Sequence, residues 1–256
     1  PRAECCVPAP TVIEFDRSGK VVQAWGAPGK GYDFPKREHG IHVDGQDNVW
    51  IAGNHDTDHQ IVKFSRGGKF LLQIGRAGKT GGSNDTALLG KPAYMEGDDK
   101  ANELFVADGY GNRRVIVFDA STGAYKRHWG AYGNRPADDK TTYDPAAVPS
   151  QQFGTPVHCV RLARDGLVYV CDRANNRIQV FDRSGRYVKE FFLERQTLQI
   201  GSVWDLVLST DPAQRYLYVA DGGNNKVHVL DRQNGSRVGA FGRNGRMAGQ
   251  FHWVHN

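Results

Sequence analysis

Leu104-Phe105-Val106-Ala107-Asp108-Gly109-Tyr110-Gly111-Asn112-Arg113-Arg114-Val115-Ile116-Val117-Phe118-Asp119 reads as two apolar strands joined by a tight polar turn. Runs of this length rich in Val, Ile and Phe, bounded by Gly, Asn and Asp, are the signature of antiparallel hairpins. The second half recurs along the chain as Val12–Asp16, Ile61–Ser65, Ile178–Asp182 and Val227–Asp231. Its aromatic or Leu anchors, Phe15, Phe64, Phe118, Phe181 and Leu230, are 49, 54, 63 and 49 residues apart. A preceding strand recurs as Val49–Ala52, Val168–Asp172 and Leu217–Asp221. A following strand often closes in an aromatic or Ile before Gly, as in Trp25-Gly26, Ile74-Gly75, Trp129-Gly130 and Phe241-Gly242. A fourth strand opens each unit, as in His39–Val43 and His158–Leu162. Four short antiparallel strands repeated every 50 to 60 residues make the blade of an all-β propeller.

Composition agrees with this reading. The 256 residues include 31 Gly and 11 Pro, suited to many turns and not to a helical bundle. No apolar run approaches the roughly 18 residues that a membrane span needs. The formal charge of +5 is spread among 33 basic and 28 acidic residues, so nucleic acid is not an expected partner. The chain opens on Pro1 rather than Met, which leaves room for a removed leader, and an extracytoplasmic location is expected.

The units resemble the NHL-repeat propellers over essentially the whole chain, on turns such as Asp108, Asn112, Arg114, Val115 and the shorter Asp172-Arg177-Ile178 and Asp221-Lys226-Val227. One domain, 1–256, is expected: a partial blade at 1–26, full blades at about 39–75, 93–130, 158–192 and 204–242, and the start of another at 250–256. The resemblance implies six blades in the complete protein, with this chain cut within the first and last.

Blade geometry places the start of each innermost strand, and the turn from second to third strand, on one rim. Three innermost strands open on histidine: His39, His158 and His255. They are 119 and 97 residues apart, two blades each time. In a six-bladed ring alternate blades lie about 120° apart, so three imidazoles would converge on the axis. Three neutral nitrogen donors with an open position suit catalytic zinc. Taken singly, each histidine reads as a cap on a local backbone group.

Within the NHL-type propellers, Glu38–Ile41, Phe153–His158 and Gln250–His255 resemble the histidine segments of the peptidyl-α-hydroxyglycine α-amidating lyases. The resemblance implies zinc on His39, His158 and His255, Tyr110 as the catalytic tyrosine and Arg173 as an active-site arginine. It also implies cleavage of an N–C bond in an α-hydroxyglycine-type substrate, small or peptide-like, to an amide and glyoxylate. Four positions depart from the family. Its substrate-carboxylate arginine would precede Pro1, its methionine beside the third histidine is Trp253, its disulfide cysteine is Gly111, and its calcium-holding acid is Asn256, which supports calcium only weakly.

Other features read as structural. Asn54-His55-Asp56-Thr57-Asp58-His59 reads as a solvated loop, and Cys5, Cys6, Cys159 and Cys171 as buried thiols, with Cys159 and Cys171 on neighbouring strands. The rival class is a non-catalytic NHL platform for protein or RNA, with Arg113, Arg114, Arg173 and Arg177 on the rim. A calcium-dependent lactonase or related hydrolase fits three histidines less well.

Overall fold

The computed structural model describes residues 9–255. Cys5, Cys6 and Asn256, and the opening of the first partial blade, lie outside the described residues. The chain forms a β-propeller. A two-stranded sheet, β1 (Val12–Phe15) and β2 (Val21–Trp25), comes first. Four antiparallel blades follow in chain order. The first is β3 (Glu38–Val43), β4 (Val49–Gly53), β5 (Gln60–Phe64) and β6 (Phe70–Gly75). The next is β7 (Tyr94–Asp98), β8 (Glu103–Asp108), β9 (Arg114–Asp119) and β10 (Tyr125–Trp129). Then come β11 (Val157–Leu162), β12 (Val168–Asp172), β13 (Arg177–Phe181) and β14 (Tyr187–Phe192). The last is β15 (Asp205–Leu208), β16 (Tyr216–Asp221), β17 (Lys226–Asp231) and β18 (Arg237–Phe241). The segment read as the opening of a further blade forms only an isolated bridge, Asn244 to Phe251. Among the described residues no helix is long and apolar enough to cross a membrane.

Each blade is a meander whose neighbours in sequence are neighbours in the sheet, which short polar turns permit. The second strands of the first three blades are sealed, every residue of β4, β8 and β12 being buried, while β16 leaves Tyr216 and Tyr218 half-buried. The core is a series of interfaces between successive blades. Phe64 packs with Val12 and Trp25 of the preceding sheet, and Phe118 with Trp50, Ile61 and Ile74. Phe181 packs with Phe105 and Trp129, and Leu230 with Tyr169 and Phe191. The aromatic that closes one blade therefore seats on the anchor of the next: Trp25 on Phe64 at 5.2 Å between ring centroids, Trp129 on Phe181 at 5.8 Å. Phe15, the anchor of the first sheet, and Phe241, the closing aromatic of the last, are 56% and 53% exposed. They show that an anchor or a closing aromatic is buried by the neighbouring blade and not by its own.

The Asp of the second strand and the Arg of the third form a sealed pair. Asp108 accepts from Arg114 Nε at 2.9 Å, Asn112 Nδ2 and Gly90 N, and Asp172 from Arg177 Nε at 2.7 Å, Asn175 Nδ2 and Gly154 N. Each carboxylate thus ties the hairpin turn to the loop entering the innermost strand of its own blade. This corrects one sequence expectation: Arg114 and Arg177 are wholly buried and Arg113 nearly so, because desolvated charge needs a partner inside, and they offer nothing to a phosphate backbone. The loop at 54–59 is corrected likewise. Asp58 is buried and accepts from the backbone of Lys36, Arg37 and His55, doing for β3 what Asp108 and Asp172 do for β7 and β11. Cys159 and Cys171 are not thiols. They face each other across β11 and β12 and form a disulfide.

Candidate metal centre

His39 enters at the start of β3 and His158 at the start of β11, with one blade between them, and both sit at irregularities. Along β3, Glu38 faces Gly53 and Ile41 faces Ile51, so three steps on one strand match two on the other. Along β11, Val157 faces Asp172 and Cys159 faces Cys171, leaving His158 as the extra residue. These are β-bulges, which turn a side chain out of the regular alternation. The blades that lack an opening histidine pair their first two strands without any shift. His255 arrives from the segment after β18.

The three rings converge. Their centroids are 5.1 Å apart for His39 and His158, 4.9 Å for His39 and His255, and 4.8 Å for His158 and His255. One ligand atom from each lies within 4.8 Å of the others. The intervening blades supply the orientation. His39 Nδ1 lies 2.8 Å from the carbonyl oxygen of Ala93, immediately before β7, and His158 Nδ1 lies 2.5 Å from that of Trp204, immediately before β15. A carbonyl only accepts, so both Nδ1 atoms carry the proton and both Nε2 atoms present lone pairs to the centre. Burial holds His39 down at about 4, against an opposing bond from Ala93 and with help from His255, Arg173 and Arg37. Burial also pushes His158 well below the ordinary imidazole value, followed by Arg173, His39 and His255. Both rings are neutral at neutral pH.

Tyr110 lies in the turn between β8 and β9, with its hydroxyl 3.0 Å from His39 Nε2 and 3.1 Å from His158 Nε2. Its approach depends on Gly109, where a Cβ would stand 2.0 Å from the Val157 carbonyl oxygen. Any side chain there would push the turn off the start of β11. Arg173 lies in the turn between β12 and β13. Its guanidinium covers the Trp204 ring at 4.4 Å and lies 5.8 Å from the Tyr110 ring. Its Nε is buried without a hydrogen-bond partner, and no ion pair among the described residues includes it. Burial lowers its pKa while Tyr110 raises it. Trp204 and the 57% exposed Trp253, 5.6 Å apart, wall the side nearest His255.

The donor set fits a zinc ion. Two inward lone pairs face a hydroxyl that has a single proton, so Tyr110 can satisfy only one of them, and a cation resolves the shortfall. The five residues picked out in the sequence, His39, Tyr110, Arg173, His158 and His255, are all brought to this one centre. Sequence reasoning missed the carbonyls of Ala93 and Trp204, since a backbone acceptor leaves no mark on residue identity. It also passed over Gly109 as a constraint, although Gly beside the tyrosine was the available signal.

The NHL-repeat family model matches residues 157–181, which include His158 and Arg173. The chain carries an NHL repeat. It is 30% identical over 183 residues to NHL repeat-containing protein 3 of Mus musculus, covering 68% of this chain and 46% of that relative. It is also 30% identical over 246 residues to peptidyl-alpha-hydroxyglycine alpha-amidating lyase 1 of Drosophila melanogaster, covering 89% of this chain and 41% of the relative. The chain therefore spans just under half the length of these relatives. Among solved structures, a catalytically inactive virginiamycin B lyase from Staphylococcus aureus with quinupristin superimposes with a TM-score of 0.57 at 16% identity. That likeness covers 93% of this chain and 64% of the other, and at such identity it speaks for the fold alone.

Proposed function

We propose that this chain is a zinc-dependent lyase that cleaves the N–C bond of an α-hydroxyglycine-type substrate, giving an amide and glyoxylate. The observation that carries this is the meeting of three imidazoles with the Tyr110 hydroxyl and an arginine that has no ion pair among the described residues. Relatives named as amidating lyases support the reaction class.

Nε2 of His39, of His158 and a ring nitrogen of His255 would hold the ion. Zinc, when bound, supplies a Lewis acid that makes a nearby hydroxyl more acidic. The chain's own residues do the rest. Tyr110 Oη is placed to pass its own proton to the departing amide nitrogen as it accepts the one from the substrate hydroxyl, so no proton is gained or lost overall. As the O–H electron pair becomes the aldehyde π bond, the C–N pair leaves with nitrogen. Arg173 faces the same space with a fork of donors and no carboxylate paired to it among the described residues, and stabilises negative charge developing on the substrate. Trp204 and Trp253 shield that exchange from water on one side.

The test is metal content after purification without added metal or a histidine tag, followed by glyoxylate release from N-benzoyl-α-hydroxyglycine. About one zinc per chain, lost in His39→Ala/His158→Ala, together with glyoxylate release, is the expected result. Folded protein with neither metal nor glyoxylate would overturn the reading and turn attention to protein binding.

A further inference from the structure

We infer that the Cys159–Cys171 disulfide is a positioning device for the metal centre, fixing the bulge that aims His158 and tying it to the strand that delivers Arg173. This rests on the metal reading above. Cys159 is the residue immediately after the bulged His158, and it faces Cys171 directly in the ladder. Cys171 precedes Arg173 by two residues.

A bulge is an extra residue without a fixed address, and a ladder can move it by shifting register one step at a time. A covalent bond between the two facing residues just beyond it permits only the register in which they face. On its other side, Val157 faces Asp172, whose carboxylate is held by Gly154, Asn175 and Arg177. His158 is therefore confined between a covalent clamp and a buried ion-pair network, and the extra residue has nowhere else to go. The bulge at His39 has no such bond. It is held by close packing, since a Cβ on Gly40 would stand 2.7 Å from the Ala93 carbonyl oxygen that also orients the His39 ring. Both sulfurs are sealed from solvent, Cys159 at 1% and Cys171 at 0% exposure, so the bond acts as a permanent clamp and not as a switch open to passing thiols.

The test compares zinc affinity, by competition with a chromophoric chelator, in wild type, Cys159→Ala/Cys171→Ala and Val180→Ala. Val180 lies in the buried core of the same blade, away from the bulge, and reports what loss of stability alone does. Outer contacts of metal ligands typically govern affinity about 10- to 100-fold, and a loss in that range is expected for the cysteine pair, with less than about a twofold change for Val180→Ala. Unchanged affinity in the cysteine pair, or an equal loss in Val180→Ala, would overturn the inference while leaving the metal reading standing. Wild type that binds no zinc would remove both. If the Ala pair does not fold, Cys159→Val/Cys171→Val restores the lost volume. Failure of both pairs to fold assigns the bond to folding and overturns the positioning role.

Discussion

His158 Nδ1 lies 2.5 Å from the carbonyl oxygen of Trp204, so a residue at the foot of one blade is oriented by the backbone of the next. The same relation links His39 to Ala93. Each ring is thus held by two blades at once: one provides the side chain and the other fixes its tautomer. A centre built this way senses the packing between blades.

His158→Ala removes one of three nitrogen donors from a site with no spare histidine at that position. Metal content measured by elemental analysis is expected to fall to below about a tenth of the wild-type value, with the β-sheet circular dichroism retained. Retention of stoichiometric metal would remove His158 from the ligand set.

Tyr110→Phe keeps the ring between His39 and His158 but deletes the hydroxyl that meets both Nε2 atoms. Metal content is expected to be unchanged, while kcat for glyoxylate release drops by about 10²- to 10⁴-fold, the usual worth of a positioned acid or base. An undiminished kcat would assign proton transfer elsewhere.

Arg173→Lys preserves charge but loses the planar fork and its stacking over Trp204. A fall of about 10²-fold in kcat/KM is expected, with zinc affinity close to wild type, since removing an anion-stabilising donor typically has that effect. Equal kcat/KM in the two proteins would mean that the fork contributes nothing.

In the metal-free protein the two buried rings make stability depend on pH in a defined direction. His39 titrates at about 4 when folded against an ordinary 6.5, and His158 is shifted the same way. Between those values the unfolded chain binds more protons than the folded one, so acid favours unfolding. The urea midpoint in the presence of a chelator should hold steady above pH 6.5 and fall as pH drops towards about 4. In His39→Gln the fall should be shallower. A midpoint that rises with acid over this window would contradict neutral burial of the rings.

Phe181→Ala opens a void at the seam between two blades, where Phe181 meets Phe105, Trp129 and Phe153. A loss of about 3–5 kcal/mol is expected from the denaturation midpoint. Phe15→Ala, at the same repeat position but exposed, should cost less than about 1 kcal/mol.

The spacing of Phe15, Phe64, Phe118, Phe181 and Leu230 and the alternation around them were enough to read strands, repeats and a propeller, because side-chain period and turn chemistry are local properties of the chain. His39 and His158 at strand starts, and His255 in the segment after β18, were visible for the same reason. What the sequence could not express is what one blade does to another. The burial of Arg114 and Arg177 against aspartates, the bulges that aim His39 and His158, the carbonyls of Ala93 and Trp204 and the bond between Cys159 and Cys171 all depend on backbone register and on contacts between segments far apart in the chain. A local pattern records which way a side chain points. Only packing decides what it meets there.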